Sequence, residues 1–317
     1  MTALYRPDGA IAITRPEVAA FPRSAMQEDV SAERYDEIDV RLDPRTKTYW
    51  CMMKPEGRPS FTPGLLSDLS RMQASIPALY ARHARTGEQP LHYFVVGSEL
   101  AGIFNLGGDL GLFADHIRHG DRTALTTYAR ACIDVVHNNA VNYGLPIVTI
   151  ALVQGDALGG GFEAALSCDV IIAERCAKFG LPEVLFNMFP GMGAYSFLAR
   201  RLGSIQAERM ILSGKLYTAE ELHEIGIVDV LVDDGKGRRA VEDYIHRNAK
   251  RHNSHSAIYK TRRRVNPVPY QELSDIIDIW VDTALQLTEA DLRKMMRLTM
   301  AQDRRRAHLP VGEAEAV

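Results

Sequence analysis

The sequence of 317 residues predicts an α/β fold in which helices cover a parallel or mixed sheet. Short apolar runs rich in β-branched residues alternate with longer segments whose apolar residues recur at helical spacing. Strands separated by helical segments are typical of such sheets. After residue 234, most of the chain up to residue 303 has helical periodicity. We therefore expect an α/β core over residues 37–234 and a helical C-terminal region over residues 235–306.

The predicted elements follow in chain order. Prolines, charges and short apolar pieces over residues 1–36 predict a partly disordered extension, and residues 307–317 are expected to form a flexible tail. Alternating or wholly apolar runs predict strands at residues 38–42, 48–53, 91–96, 147–153, 170–173 and 228–232. Helical spacing predicts helices at residues 61–83, 110–143 with a break near Gly120, 194–202, 205–213, 219–225 and most of 237–303.

The composition excludes several function classes. Hydrophobic residues make up 46% of the chain and charged residues 24%, as in ordinary globular proteins. The net charge of −3 gives no general attraction to nucleic acids or to anionic membranes. The sequence shows neither a leader pattern nor an apolar run that could span a bilayer. A cytoplasmic protein without membrane insertion is expected.

Metal and cofactor sites are not indicated either. The four cysteines form no Cys-x-x-Cys pair and no Cys/His group at zinc spacing: Cys51, Cys132, Cys168 and Cys176. Three histidines on helical stretches lack partners at ligand spacing: His116, His119 and His137. We therefore expect a protein without a metal or a redox cofactor.

The most informative segment is a glycine-rich turn that follows the apolar run at residues 147–153. Three glycines, Gly159 to Gly161, precede a helical segment of small residues that carries Glu163 in its first turn. Backbone N–H groups at such a turn have no partners within the helix, so they can stabilise negative charge on a substrate oxygen. The segment therefore predicts an oxyanion hole with a carboxylate beside it.

The same glycines also allow a second interpretation. Residues 159–164 fit the dinucleotide-binding pattern G-x-G-x-x-A, with Glu183 as the acid that would bind ribose. Against this, the turn after residue 153 is too long for the first turn of a dinucleotide fold. A phosphate-binding P-loop is excluded, because Phe162 stands where that motif continues toward Lys and Ser or Thr.

Three segments together resemble the crotonase (enoyl-CoA hydratase/isomerase) superfamily, in that family's order and spacing. They are Phe104-Asn-Leu-Gly-Gly-Asp-Leu110, Gln154-Gly-Asp-Ala-Leu-Gly-Gly-Gly-Phe-Glu163 and Gly180-Leu-Pro-Glu183. The chain is most similar to the diffusible signal factor synthase subgroup. Five segments carry this similarity: Phe104-Asn-Leu-Gly-Gly-Asp109, Ala151-Leu-Val-Gln-Gly155, Gly180-Leu-Pro-Glu-Val-Leu-Phe186, Phe189-Pro-Gly-Met-Gly-Ala-Tyr-Ser196 and Ile279-Trp-Val-Asp-Thr-Ala284. The similarity covers about residues 38–306, and it implies a spiral of ββα units with a helical C-terminal region.

The resemblance also implies a site. The two carboxylates that act on the substrate map to Glu163 and Glu183. One oxyanion donor maps to the turn at Gly107 and Gly108, and the other maps to Gly160, beside Gly159. The implied walls of the acyl pocket are Leu158, Met192 and Trp280. Asp109 is expected to cap the next helix rather than to act in catalysis.

The implied reaction uses a 3-hydroxyacyl group carried on acyl carrier protein. The subgroup dehydrates it to a cis-2-enoyl thioester and then hydrolyses the thioester, which releases an unsaturated fatty acid used as a quorum-sensing signal. A homo-oligomer, such as a trimer, and a regulatory sensor kinase are implied partners. Two alternatives stay open: a CoA-dependent enoyl hydratase of fatty-acid degradation, and a non-catalytic binding module. The sequence does not decide which glutamate acts as acid and which as base.

Overall fold

The computed structural model of the chain describes residues 24–84, 87 and 89–307, with only the backbone described over residues 301–307. The described residues contain ten strands: β1 (Ile38–Asp43), β2 (Thr48–Met53), β3 (Tyr93–Ser98), β4 (Gly102–Asn105), β5 (Val148–Val153), β6 (Gly155–Leu158), β7 (Val170–Glu174), β8 (Lys178–Gly180), β9 (Leu216–Thr218) and β10 (Val230–Val232).

Helices account for most of the remaining described residues. The α-helices are α1 (Ala25–Ala32), α2 (Pro63–His83), α3 (Leu110–Arg118), α4 (Arg122–Ala140), α5 (Gly160–Leu166), α6 (Ala194–Leu202), α7 (Ser204–Ser213), α8 (Ala219–Glu224), α9 (Gly237–Ala249), α10 (His252–Val265), α11 (Tyr270–Ala284) and α12 (Glu289–Ala307). Two short 3₁₀-helices lie at Asn142–Gly144 and Pro182–Phe186.

The larger sheet has six strands in the order β1-β2-β3-β5-β7-β10. Only β1 pairs antiparallel with its neighbour; the pairs from β2 through β10 are parallel. All six residues of β5 are buried, because helices cover both faces of this part of the sheet. The predicted α/β class and all six predicted strands are confirmed.

A second sheet of four short strands, in the order β4-β6-β8-β9, was not predicted. Three of these strands each directly follow a strand of the larger sheet: β4 follows β3, β6 follows β5, and β8 follows β7. A helix then follows each pair, which confirms the repeated ββα units. The strands β4, β6 and β8 are parallel neighbours, so their carboxyl ends lie at one edge.

The C-terminal helices pack back onto the core. Asp169 lies between α5 and β7. Its carboxylate accepts from Arg262 at 2.7 Å and from Arg263 at 3.1 Å, and these ion pairs attach α10 to the core. Helix α11 packs on α4, and α12 packs on α3 and on the 3₁₀-helix that carries Glu183. The C-terminal helices therefore cover α3, α4 and the 3₁₀-helix that carries Glu183.

Two predicted terminal segments lie wholly or partly outside the described residues. Of the extension predicted at residues 1–36, residues 1–23 are outside, while α1 packs against β1. Of the predicted tail, residues 308–317 are outside. Among the helices that are described, none combines the length and the apolar character needed to cross a membrane.

Candidate active site

The carboxyl ends of β4, β6 and β8 bring three predicted site segments together. Gly107 and Gly108 follow β4, Gly159 and Gly160 follow β6, and Glu183 follows β8. Since these strands are parallel neighbours, segments far apart in the sequence meet at one edge of the small sheet. Gly108, Gly160, Glu163 and Glu183 all line one cavity.

The structure narrows the predicted oxyanion donors from four N–H groups to two. The N–H of Gly107 donates to Asn105 Oδ1 at 2.8 Å, and the N–H of Gly159 donates to the carbonyl of Gly180 at 2.8 Å. Neither of these donors is therefore available to a ligand. The N–H groups of Gly108 and Gly160 find no acceptor within the described part of the chain, and both glycines line the cavity. These two groups form the candidate oxyanion hole.

Glycine is required where the two turns pack together. Gly107 has a φ of +92°, and a Cβ added there would lie 2.8 Å from the carbonyl oxygen of Leu158 and 3.0 Å from the nitrogen of Gly160. Both of these neighbours are backbone atoms, so neither can rotate away. The close approach of the turns sets the spacing between the two donors.

Glu163 lies in the first turn of α5 and is buried. Its Oε1 accepts from the backbone N–H of Ala194 at 2.9 Å. Burial, and next the charge of Glu183, raise the pKa of Glu163 well above its ordinary value. The backbone N–H groups of Ala194 and Met192 act in the opposite direction, but burial and the charge of Glu183 outweigh them, so we expect Glu163 to be protonated at neutral pH.

Glu183 lies in the 3₁₀-helix after β8. Its Oε2 is buried and has no hydrogen-bond partner among the described residues. Its Oε1 lies 2.6 Å from the position that a Cβ on Gly159 would occupy, so the carboxyl group sits directly over the glycine turn. Burial raises the pKa of Glu183 to about 7. The two carboxyl groups therefore titrate differently, as an acid and base pair requires.

The cavity encloses about 580 Å³ of space, part of it continuous with solvent. Apart from the glycines and the two glutamates, its lining is mainly apolar: Leu110, Phe113, Ile117, Tyr128, Ala129, Cys132, Phe186, Met188, Met192, Ile277, Trp280, Ala284 and Met295. An apolar cavity with a few convergent polar groups is typical of a site for a small ligand.

Of the three predicted pocket walls, Met192 and Trp280 line the cavity. The Trp280 indole lies against Gly191, where an added Cβ would be 2.5 Å from the ring, and edge-on to Phe113 at 5.1 Å between ring centroids. The prediction for Leu158 does not fit its placement. Leu158 is not among the residues that line the cavity: its side chain packs with Ile103 and Leu106 in a separate small cluster, while its carbonyl oxygen lies beside the turn at Gly107.

Several cavity residues were not predicted. Tyr128 on α4, Ile277 on α11 and Met295 on α12 carry no local motif and reach the site only through helix packing. Asp109, predicted as a helix cap, accepts from the N–H of Leu112 at 3.1 Å at the start of α3. The cap fixes the chain direction immediately after Gly108.

The other predicted ligand groups are placed elsewhere. The glycines of the dinucleotide pattern follow β6 of the small sheet, and Glu183 faces the cavity rather than a separate ribose site. Within the described residues, one group has carboxylate and thiol atoms close enough to share a metal ion: Glu174, Cys176 and Asp234. None of the three lines the cavity. The ionisable carboxyl groups that line the cavity are those of Glu163 and Glu183.

Known proteins share sequence and fold with this chain. The sequence model of the enoyl-CoA hydratase/isomerase family matches residues 87–265. Mitochondrial methylglutaconyl-CoA hydratase of Rattus norvegicus is 29% identical over 218 residues, which are 68% of this chain and 64% of that protein. The chain thus spans slightly less than two thirds of that relative's length.

Solved structures share the fold. An enoyl-CoA hydratase from Bacillus halodurans superposes with a TM-score of 0.68 at 22% identity, covering 83% of this chain and all of that one. Human mitochondrial delta3-delta2-enoyl-CoA isomerase gives the same TM-score of 0.68 at 17% identity, covering 85% of this chain and 99% of that one. Because a hydratase and an isomerase fit equally well, the fold does not select between their reactions.

Proposed function

The chain belongs to the enoyl-CoA hydratase/isomerase family, and from that premise we propose that it is a diffusible signal factor synthase. It dehydrates a 3-hydroxyacyl group on acyl carrier protein to the cis-2-enoyl thioester, and it then hydrolyses that thioester to release the free acid. The observation that carries the proposal is one cavity lined by Glu163, Glu183 and the two glycines with free N–H groups. A reaction that only removes a proton from one carbon needs a single base. Dehydration needs a base for that proton and an acid for the departing hydroxyl group, which matches the two carboxyl groups.

In the first step, the thioester carbonyl oxygen accepts from the N–H groups of Gly108 and Gly160. Glu183, ionised above pH 7, removes a proton from the carbon next to the carbonyl, and the negative charge moves onto the carbonyl oxygen. Preorganised donors at such an oxygen act without reorganisation in the transition state. Glu183 fits the base role because burial holds its pKa near 7, where a base is both ionised and strong enough.

In the second step, the bond between C3 and the hydroxyl oxygen breaks, and the electron pair of the enolate forms the C2–C3 double bond. Glu163 gives its proton to the departing hydroxyl group, which leaves as water. Its raised pKa keeps that proton available, and the hydrogen bond from Ala194 stabilises the carboxylate that results. After this step Glu163 is ionised and Glu183 is protonated.

Thioester hydrolysis can use the same two glutamates with their protonation states reversed. Ionised Glu163 takes a proton from water as its oxygen attacks the carbonyl carbon. Gly108 and Gly160 stabilise the tetrahedral intermediate, and Glu183 returns a proton to the thiol as it leaves. Both glutamates then regain their starting protonation states, so one site can complete both reactions.

The proposed function also includes the type of acyl chain, its carrier and the partners of the enzyme. The mainly apolar wall suits an unbranched or branched acyl chain. Acyl carrier protein as carrier, a homo-oligomer and a regulatory sensor kinase are supported by the resemblance of the motifs to those of diffusible signal factor synthases.

A second candidate is a CoA-dependent enoyl hydratase. It is favoured by the curated relative in Rattus norvegicus, which is named a methylglutaconyl-CoA hydratase. It would use the same glutamates and N–H groups in the reverse direction, with water added to a 2-enoyl-CoA.

Mass spectrometry of the reaction products separates the two candidates. We expect purified protein to convert 3-hydroxydodecanoyl-acyl carrier protein to free cis-2-dodecenoic acid and to act more slowly on the CoA ester. A trans-2-enoyl product that stays on its carrier, together with preference for CoA, would support the hydratase instead. Absence of turnover on both thioesters would exclude both enzymes.

The pH dependence of dehydration is a further prediction. Because Glu183 must be ionised, kcat/KM is expected to rise with pH and to reach half of its maximum near pH 7. It should fall again at higher pH as Glu163 loses its proton. Initial rates measured between about pH 5 and pH 9 would test this. A rate independent of pH across that range would contradict the role of Glu183 as base.

A further inference from the structure

The Gly108 donor is fixed by its neighbours rather than by a hydrogen bond of its own. The preceding residue, Gly107, is held at both of its backbone polar groups. Its carbonyl accepts from the N–H of Phe61 at 2.7 Å, and the Gly107 N–H donates to Asn105 Oδ1. Phe61 and Gly108 form a parallel β-bridge that lies outside both sheets. The donor therefore sits in a loop whose position depends on the Phe61 backbone.

Tyr128 holds both sides of this loop from α4. Its hydroxyl donates to the carbonyl of Phe61, and the hydroxyl oxygen accepts from the N–H of Asp109 at 3.1 Å. The residue is 7% exposed, and burial raises the pKa of its hydroxyl, so the hydroxyl stays protonated and able to donate. One hydroxyl group thus ties together the residue paired with Gly108 and the residue after it.

We propose that Tyr128 is a positioning residue that holds the N–H of Gly108 in place as an oxyanion donor. This inference rests on the proposed function, since it assigns a role within that same site. Tyr128 acts through Gly108, while its ring forms part of the cavity wall and packs edge-on against Phe113 at 5.0 Å. The ring could be supplied equally well by phenylalanine. Phenylalanine would lack the hydroxyl group, which contacts both the Phe61 carbonyl and the Asp109 N–H.

The test compares Tyr128→Phe with Tyr143→Phe. Tyr143 is a matched control because it is 8% exposed and its hydroxyl also donates within the core, to Asn139 Oδ1 at 2.9 Å, but it does not line the cavity. Both variants lose one buried hydroxyl group. A general loss of packing or stability should therefore appear in both, and thermal unfolding measures it.

We expect Tyr128→Phe to lower kcat for dehydration by about 10-fold to 100-fold with KM unchanged, because a displaced donor weakens only the transition state. Tyr143→Phe should keep the wild-type kcat. Equal losses in the two variants, or wild-type kcat in Tyr128→Phe, would overturn the proposal.

A binding measurement makes the result independent of turnover. A 3-oxododecanoyl thioester ionises to an enolate that absorbs in the near ultraviolet, while the saturated dodecanoyl thioester fills the same pocket without charge. Tyr128→Phe is expected to reduce the bound enolate fraction about 10-fold and to leave affinity for the saturated thioester unchanged. Equal weakening of both ligands would assign Tyr128 to the wall alone and overturn the proposal. If the wild type binds the enolate but dehydrates nothing, the proposed function fails, and this comparison of variants still decides the role of Tyr128.

Discussion

Replacing Glu183 by glutamine is expected to lower kcat for dehydration by about 10²-fold to 10⁴-fold, the range typical of a lost general base. Glu163→Gln should have an effect of similar size through loss of the acid. Glutamine keeps the shape of the side chain, so the cavity should still bind the saturated thioester. Steady-state kinetics of both variants test this, with Glu224→Gln, which changes an exposed glutamate, as control. Wild-type activity in either cavity variant would contradict the assignment.

The same Glu183 variant is expected to be more stable than the wild type above pH 7. Because the pKa of Glu183 is raised to about 7, the folded protein binds more protons than the unfolded chain between pH 4.5 and 7. The free energy of unfolding therefore falls as pH rises through that range, and above pH 7 the buried carboxylate costs about 3 kcal/mol. Glutamine removes this cost. Urea unfolding at pH 8 measures the gain, and a less stable variant would indicate a structural role instead.

The second large effect is expected for Gly107→Ala. The added Cβ would lie within 3.0 Å of two backbone atoms, so the turns carrying Gly108 and Gly160 must separate. Loss of one oxyanion donor typically lowers kcat about 10²-fold to 10³-fold, and here both donors are displaced. The alanine would also hold a φ of +92°, which by itself costs about 1 to 3 kcal/mol.

Gly120→Ala separates these two consequences. Gly120 also has a positive φ, +62°, but an added Cβ there would meet nothing within 4 Å. It should therefore lose stability through backbone strain and keep its kcat. Kinetics and thermal unfolding of the two variants would be compared. If Gly107→Ala kept the wild-type rate, the packed turns would not be setting the oxyanion hole.

The sequence was informative where a local pattern decides the structure. The strand β5 is a continuous apolar run, and its burial on both faces follows from that run. The strand β6 is Gly155-Asp-Ala-Leu158, which has neither alternation nor β-branched residues. Its pairing with β4 and β8 gives it strand structure, and such pairing cannot be read from four residues. The small sheet was missed for this reason.

The candidate site could likewise be predicted where local motifs specify it, but not where tertiary contacts decide. Glu163, Glu183 and the two glycine turns came from motifs, whereas the choice among four N–H groups required tertiary contacts. Gly107 is removed as a donor by the Asn105 side chain, and Gly159 is removed by the Gly180 carbonyl. Leu158 was predicted to line the pocket but does not. The cause is related, because the face of the sheet on which a residue of β6 lies depends on the pairing of that strand.

A crystal structure with a bound, non-hydrolysable analogue of a 3-hydroxyacyl thioester would show where the reacting groups lie. We expect its carbonyl oxygen to lie about 2.7 to 3.1 Å from the nitrogens of both Gly108 and Gly160. Carbon 2 should then face Glu183, the 3-hydroxyl group should face Glu163, and the acyl chain should run toward Trp280. An analogue whose carbonyl points away from both nitrogens, or whose 3-hydroxyl group lies beyond the reach of both glutamates, would contradict the account.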